Sequence, residues 1–386
     1  MDARLKIRVR KKLFDFEPKT LALVRGKIGR EKKSCTEKSI GTVDNRIMSL
    51  TQAQAETSFS LKVIPPFRLD LTVWALRRRP ENKMDRWDGK TFRRTLMLNG
   101  KPAEVAVTQR GSPEEPRLQA SVVGVEFGPD TKSGVTETLN WMLGLQVDLK
   151  GFYRSAAKDP RLAILAQRFR GVKPPRFPSL LEALVNGIAC QQFTLASGIQ
   201  LLNRLAEDFG RSVIKTGIRV HAFPRAEELA AVKPELLRSR GLNRQKVRAI
   251  IELSRAISEG TLDVEGLASL NDDSAVERLS ELHGVGRWTA EYVLLRGLGR
   301  VEVFPGDDVG ARNTLQQWLG LRKPLDYEGV RRLIAKWNPY AGLVYFHMLL
   351  FRLNEAGYLS CHSNVGRKTQ ATYPRVDEPR HITECT

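Results

Sequence analysis

The sequence contains little cysteine and histidine, with 4 and 5 residues respectively in a chain of 386. No two cysteines form a Cys-x-x-Cys pair, and no two histidines are spaced as His-x-x-x-His. This scarcity argues against structural zinc, a redox dithiol and an iron–sulfur cluster. We therefore predict that the protein binds no metal and needs no cofactor.

Long apolar runs are also missing. No stretch approaches the roughly 20 apolar residues that a membrane span needs, and the N-terminus lacks the apolar core of a secretory signal. We expect a soluble monomer without a membrane partner, in the bacterial cytoplasm with the nucleoid or, in a eukaryote, in the nucleus.

Basic residues are in large excess over acidic ones. Lys and Arg number 63 against 43 Asp and Glu, which gives a net charge of +20 and a pI near 10.0. A soluble protein this basic usually binds a polyanion, most often nucleic acid. The other interpretation is a basic proteome or tail without a binding role.

The composition divides the chain into four segments. Residues 1–55 are basic and poor in apolar residues, which predicts a disordered extension; it is either a DNA-tethering arm or a region upstream of a true start at Met48. Residues 56–150 carry strand patterns, residues 151–359 carry helical patterns, and residues 360–386 form a polar tail. The fold class predicted is α+β, with an N-terminal antiparallel-sheet domain followed by an all-α domain.

Alternating apolar residues define the predicted strands. Leu69, Leu71 and Val73 continue the alternation of Phe59 and Leu61, and Arg117 to Val125 is another extended run. Asn99-Gly100 joins two extended runs and is a strong signal for a two-residue hairpin. In the second domain, Ser179 should cap a long helix. Further helices are predicted over residues 195–209, 225–232, 243–259, 274–282, 289–295, 309–319 and 327–354.

The most informative motif runs from Leu282 to Ala290 and contains Gly284 and Gly286 between two predicted helices. Glycines allow positive φ and close approach of the backbone to a bulky anion. The N–H groups at the start of the second helix would then point at a phosphate oxygen. The alternative is a helix–helix corner that uses glycine only for its geometry.

This motif and a later one resemble the helix-hairpin-helix DNA glycosylase superfamily. Leu282 to Gly286 matches its Leu-Pro-Gly-Val-Gly hairpin, with His283 in place of proline, and Phe304 to Gly310 carries the Asp pair that follows. The resemblance is nearest to DNA-3-methyladenine glycosylase II (AlkA type), extends over about residues 59–357, and includes a Gln-Gln pair like Gln191-Gln192. It implies a helical helix-hairpin-helix glycosylase domain after the sheet domain.

The resemblance makes Asp308, the second Asp of the pair, the catalytic carboxylate. A helix N-terminus favours the ionised form, and an anion stabilises the positive charge that develops on the sugar as its base leaves. The simpler role is an N-cap, worth about 1 kcal/mol. Asp307 could supply that cap and leave its neighbour free for chemistry.

Trp288 occupies the position at which strand-cleaving members of the superfamily carry a lysine that forms a Schiff base. Tryptophan has no nucleophilic amine, and Lys246 and Lys336 do not match that position. The resemblance therefore implies a monofunctional enzyme that leaves an abasic site.

Trp288 and Tyr292 lie four residues apart, so their rings fall on one helix face. They are either core aromatics or, as the resemblance implies, the lining of a pocket for the flipped base. Such rings favour cationic bases, which predicts excision of 3-methyladenine and 7-methylguanine, with hypoxanthine a further candidate. Leu349 stands where the group has a tryptophan, so the substrate range is less firmly implied than the reaction.

The predicted partner is double-stranded DNA containing damaged bases. Gln192 or Phe193 is the candidate wedge that fills the space left by the flipped base; the alternative is a buried Gln pair bonded to backbone. For any single basic residue, the default interpretation is a solvated surface charge. The remaining predicted DNA-binding positions are Gly284, Gly286, Arg287, Thr289, Gln191, Arg244 and Lys246.

Two other functions fit the same motifs. One is a non-catalytic DNA-binding protein that uses the hairpin alone, and the other is a strand-cleaving glycosylase for oxidised or mismatched bases. Asp308 argues against the first, because DNA binding gains nothing from an anion. Trp288 and the lack of a cysteine set for an iron–sulfur cluster argue against the second.

Overall fold

The computed structural model describes residues 57–215 and 217–359. These residues belong to one compact unit. The predicted extension over residues 1–55, the alternative start at Met48 and the predicted tail from residue 360 lie outside the described residues.

The N-terminal part is a five-stranded antiparallel sheet, as predicted, with the strand order β1-β5-β4-β3-β2. Its strands are β1 (Thr57–Leu61), β2 (Arg86–Trp87), β3 (Thr91–Leu98), β4 (Lys101–Arg110) and β5 (Arg117–Val123). Leu98 pairs with Lys101 around a turn in which Asn99 and Gly100 have φ of 48° and 74°. Positive φ at both positions is what a tight hairpin turn requires, so the Asn-Gly prediction is confirmed.

Helices make up most of the remaining chain. In chain order they are α1 (Leu69–Arg77), α2 (Pro129–Met142), α3 (Lys150–Ala156), α4 (Pro160–Arg168), α5 (Leu180–Cys190), α6 (Leu195–Phe209), α7 (Ala226–Ala230), α8 (Pro234–Ser239), α9 (Arg244–Ser258), α10 (Val264–Ser269), α11 (Asp272–Ser280), α12 (Arg287–Arg296), α13 (Val309–Leu319), α14 (Tyr327–Ile334) and α15 (Ala341–Glu355). A two-stranded ribbon of β6 (Ser212–Lys215) and β7 (Ile218–His221) interrupts the helical part. Ser179 caps α5 as predicted, because its Oγ accepts a hydrogen bond from Glu182 N at 3.2 Å.

Two predicted elements are wrong in kind or extent. The strand expected at Leu69–Val73 is helix α1, whose buried residues lie on nearly all of its sides, so an apolar period of two was present by coincidence. The single helix expected over residues 327–354 is broken into α14, a 3₁₀ turn at Ala335–Trp337, and α15. Pro339 lies at this break and has no N–H to continue a helix.

The sheet and the helices share their hydrophobic core. Phe92 and Val107 of the sheet belong to the same buried cluster as Leu184 of α5 and Ile250 of α9. The predicted boundary near residue 150 therefore stays a prediction. A second buried cluster surrounds α15.

A buried ion triplet also joins the sheet to the helices. Arg94 of β3 donates from one guanidinium nitrogen to Asp85 and from another to Glu182 of α5. All three side chains are almost completely buried. Charges this deep are tolerated only because each has an opposite partner.

Helix α12 runs between the two clusters, since Leu294 packs in the first and Leu295 in the second. Every residue from Thr289 to Arg296 is buried. A helix held on all sides provides a rigid base for whatever its N-terminal end presents. The hairpin and the first turn of α12 occupy that end.

Candidate functional site

The hairpin uses its two glycines for different reasons. Gly284 has φ +79°, and a Cβ there would lie 2.6 Å from the Cβ of Ala249 on α9. Gly286 is the N-cap of α12 with φ −92° and ψ 175°, an extended conformation open to any residue, and a Cβ there would meet nothing within 4 Å. Positive φ is therefore needed at Gly284 alone, whereas Gly286 leaves an uncovered backbone at the start of α12.

Gln191 fastens the hairpin to the end of α5. Its Nε2 donates to the carbonyl oxygen of Gly284 at 2.8 Å and to Oγ1 of Thr289 at 2.9 Å. Thr289 is only 1% exposed. The side chains of these two predicted DNA-binding residues thus bond to each other within the protein and support the turn.

Lys246 has a similar internal role. Its Nζ donates to the carbonyl oxygens of Ala189 and Gln191 at 3.2 and 2.7 Å, and it lies 3.8 Å from the ring centroid of Phe193. Burial lowers the pKa of this lysine. Lys246 therefore supports the loop after α5 from inside the protein, and its predicted contact with DNA stays a prediction.

That loop presents both wedge candidates to solvent. Gln192 is exposed and has φ +55°, and Phe193 is 43% exposed. The alternative interpretation, a buried Gln pair, is wrong for Gln192. Arg244, the first residue of α9, is also exposed.

Arg287 connects the hairpin to the loop that carries the Asp pair. Its Nε donates to Oδ2 of Asp307 at 2.9 Å, and its guanidinium lies 3.8 Å from the ring centroid of Tyr327. The hydrogen bond to Asp307 raises the pKa of Arg287. Asp307 is therefore the partner of Arg287, and its predicted role as the cap of α13 is wrong.

Glu291 of α12 makes two hydrogen bonds, one of which holds the same loop. Its carboxylate accepts from Gly306 N at 3.0 Å and from the Tyr327 hydroxyl at 2.7 Å. Burial raises the pKa of Glu291. The loop is thus fixed at Gly306 and Asp307, the two residues before Asp308.

Asp308 is the N-cap of α13 and also bonds to a tyrosine. Its Oδ1 accepts from Ala311 N at 2.8 Å, and its Oδ2 accepts from the Tyr345 hydroxyl of α15 at 2.9 Å. The carboxylate is half-buried. Capping uses one oxygen, so the cap and a chemical role are compatible in one residue.

Trp288 and Tyr292 pack together near this carboxylate, with ring centroids 5.5 Å apart. Trp288 is half-buried, whereas Tyr292 is 2% exposed and bonds to Arg78 at 2.9 Å and Asn186 at 3.2 Å. Burial raises the pKa of the Tyr292 hydroxyl, Arg78 opposes this, and the charge of Asp308 adds to it. Asp308 thus lies within electrostatic range of Tyr292.

Comparison with known proteins identifies the family. Residues 185–339, which include the hairpin, Asp308 and the helix α12, match the HhH-GPD superfamily base excision DNA repair protein. A DNA-3-methyladenine glycosylase of Bacillus subtilis (strain 168) is 31% identical over 204 residues, which are 53% of this chain and 67% of that protein. The chain belongs to the HhH-GPD superfamily.

Two other known proteins extend the likeness. DNA-3-methyladenine glycosylase 2 of Escherichia coli (strain K12) is 28% identical over 176 residues, covering 45% of this chain and 59% of that protein. The structure of a 3-methyladenine DNA-glycosylase from Archaeoglobus fulgidus superimposes with a TM-score of 0.64 at 27% identity, over 76% of this chain and 98% of that one. The predicted fold class and the AlkA-type resemblance are confirmed.

Within this HhH-GPD fold the predicted site residues separate into two groups. Around the start of α12 lie the hairpin glycines with Arg287, Trp288, Tyr292 and Asp308. Gln191, Thr289 and Lys246 bond within the protein and hold that arrangement in place. The roles of all these residues in catalysis and DNA binding stay predictions.

Sequence reasoning missed Tyr345, Glu291 and Arg78. Tyr345 lies four residues before Leu349, the position that the sequence comparison singled out, and residues four apart share a helix face. That spacing could have identified Tyr345. Glu291 lies between Trp288 and Tyr292 in sequence, but its partner Tyr327 is 36 residues away and nothing local indicates the contact.

Among residues 57–215 and 217–359, no helix is long and apolar enough to cross a membrane. The same part of the chain contains no group of three or more His, Cys, Asp or Glu side chains placed to hold a metal ion.

Proposed function

We propose that this protein is a monofunctional DNA glycosylase that excises alkylated purines, 3-methyladenine and 7-methylguanine, from double-stranded DNA. The observation that carries the proposal is the Asp308 carboxylate, which Ala311 N and the Tyr345 hydroxyl hold in place within electrostatic range of Tyr292. The names of its relatives, which are DNA-3-methyladenine glycosylases, support the same substrate class.

Asp308 supplies the chemistry in this proposal. As the bond between the sugar and the base breaks, positive charge develops on the sugar, and a carboxylate fixed nearby stabilises it. Water then adds to the sugar carbon and loses a proton to the carboxylate. The products are a free base and an abasic site whose DNA backbone is intact.

The aromatic pair favours the substrate class. A purine alkylated at N3 or N7 carries positive charge, and an aromatic face attracts a cation by roughly 0.5–2 kcal/mol. Trp288, which is half-buried, can stack on such a base, while the buried Tyr292 supports it from behind. A cationic base leaves as a neutral molecule, so the reaction needs no general acid.

DNA binding in this proposal combines the hairpin with the loop after α5. Gly286 has no side chain and α12 has no side-chain cap, so its first N–H groups face outward toward a phosphate. Gln192 and Phe193 are exposed on the adjacent loop, where either could enter the duplex as the base leaves. Arg287 and Arg244 are exposed cations at the starts of α12 and α9.

The experiment measures release of free bases from methylated duplex DNA. The wild-type protein should release 3-methyladenine and 7-methylguanine, and Asp308→Asn should abolish release while its affinity for DNA stays the same or increases. Asparagine caps a helix as well as aspartate does, so the substitution removes the charge and keeps the cap.

Asp326→Asn is the matched control, because Asp326 caps α14 through Gly329 N at 2.7 Å and should not affect excision. If Asp308→Asn excises bases at a rate within a few fold of the wild type, Asp308 is only a helix cap and has no chemical role. Tight DNA binding by the wild type without any base release would instead support the non-catalytic DNA-binding alternative.

A further inference from the structure

Tyr345 of α15 donates a hydrogen bond from its hydroxyl to Oδ2 of Asp308, at 2.9 Å. It is 6% exposed. Phe304 and Phe346 hold its ring in edge-to-face contacts at centroid distances of 5.5 and 5.9 Å. The phenol is therefore locked in place before any DNA arrives.

Two donors from different parts of the fold bind the two oxygens of Asp308. Ala311 N, in the first turn of α13, holds Oδ1 at 2.8 Å, and the Tyr345 phenol holds Oδ2. A single cap bond leaves a carboxylate free to turn about its last torsion, which is broad in energy. A second donor on the other oxygen removes that freedom.

We propose that Tyr345 is a positioning residue, which orients the Asp308 carboxylate for excision through a hydrogen bond to Oδ2. This inference rests on the proposed function, since it assigns Tyr345 a task only if Asp308 acts on the sugar. Each carboxylate oxygen accepts more than one hydrogen bond, so the oriented group retains lone pairs for the attacking water and for the sugar.

The phenol can fill this role over the whole working range of pH. Burial, and then the negative charge of Asp308, raise the pKa of Tyr345 well above its ordinary value. The phenol therefore keeps its proton and remains able to donate to the carboxylate.

The test is Tyr345→Phe, which removes one oxygen and keeps the ring. In single-turnover excision of 7-methylguanine, the rate constant should fall by about 10- to 100-fold, the effect of losing a hydrogen bond to a charged group. The affinity for DNA should not change. A fall in the rate constant at unchanged affinity is the effect expected of a residue that orients Asp308 and does not contact the DNA.

Tyr153→Phe is the matched control, since the Tyr153 hydroxyl also makes one hydrogen bond, from Gly171 N at 2.9 Å, away from Asp308. It should leave the rate constant unchanged. If Tyr345→Phe is too unstable to assay, 4-fluorophenylalanine at position 345 fills the space of the hydroxyl and donates no hydrogen bond. The rate constant should then fall as it does for phenylalanine.

The outcomes separate this inference from the proposed function. If Asp308→Asn loses excision but Tyr345→Phe or the 4-fluorophenylalanine variant keeps the wild-type rate, the role of Tyr345 is refuted and the proposed function stands. A slower Tyr345→Phe whose affinity for DNA falls to the same degree also refutes it, because a loss of packing would give that result. If the wild type releases no base, both proposals fail.

Discussion

Replacing Gly286 with alanine should weaken DNA binding without harming the fold. The backbone at Gly286 is extended, with φ −92°, and an added Cβ would meet nothing within 4 Å. Alanine is therefore accepted by the free protein. The added methyl would occupy the space at the start of α12 through which a phosphate must approach.

The size of the effect follows from what the phosphate would lose. A backbone N–H bound to a charged group contributes about 1.5–3 kcal/mol, and each 1.4 kcal/mol is a factor of about ten in affinity. We therefore expect affinity to fall by about 10- to 100-fold on any DNA sequence, because a phosphate contact does not distinguish bases. The free energy of unfolding should stay the same or rise by about 0.4–1 kcal/mol.

Fluorescence anisotropy with undamaged duplex DNA measures the affinity, and urea denaturation measures the stability. Gly128→Ala is the matched control, because Gly128 is also an N-cap, on α2, with extended φ of −140° and nothing within 4 Å of an added Cβ. Gly284→Ala is the contrast. Its positive φ and the contact with Ala249 should cost about 1–2 kcal/mol of stability or more.

Equal DNA affinities for Gly286→Ala, Gly128→Ala and the wild type would refute the reasoning. The hairpin would then be a helix–helix corner that does not contact DNA. A loss of affinity accompanied by an equal loss of stability would also count against it, since the free protein has room for the methyl group.

Three further predictions concern other parts of the chain. Borohydride should trap no covalent adduct with damaged DNA, because Trp288 offers no amine; an adduct detected on a denaturing gel would contradict a monofunctional enzyme. Arg244→Ala should reduce, by about one unit, the steepness with which the logarithm of the DNA-binding constant falls against the logarithm of the salt concentration. Lys246→Met removes an internally bonded amine and should leave that slope unchanged. Burial lowers the pKa of His347 to about 4 from 6.5, so the unfolded chain takes up the proton first and stability is lost as pH falls below 6.5. Urea titrations should show about 2 kcal/mol less stability at pH 5 than at pH 8, and a smaller loss in His347→Leu.

The elements that sequence predicted well have strong local signals. Helix α9 and the end of α5 follow from apolar residues spaced 3.6 apart and from capping residues, and the β3–β4 turn follows from Asn-Gly. The β6–β7 ribbon was not predicted because Ile214 and Ile218 are exposed, at 59% and 65%. Its short strands have no buried face and therefore no alternation of apolar and polar residues in the sequence. Helix α1 was missed because burial on nearly all sides hides its period.

The site divides in the same way. Asp308, Trp288 and Tyr292 were found from two short motifs, since the residues of each motif are close in the chain. The partners that fix them are distant: Tyr345 is 37 residues from Asp308, and Arg78 is 214 residues from Tyr292. Only the packing of α15 against α13, and the contact of the residue that ends α1 with α12, bring such pairs together, and no local pattern records either.

The ion triplet of Arg94, Asp85 and Glu182 limits how this chain can be shortened. Removing the sheet would leave Glu182 as a lone carboxylate inside apolar surroundings, at a cost of about 3–5 kcal/mol. That is a large part of the stability of an ordinary domain. A shortened protein that kept only the helices would first need an apolar residue in place of Glu182. The loss of the strands is therefore possible only together with a substitution at this position of α5.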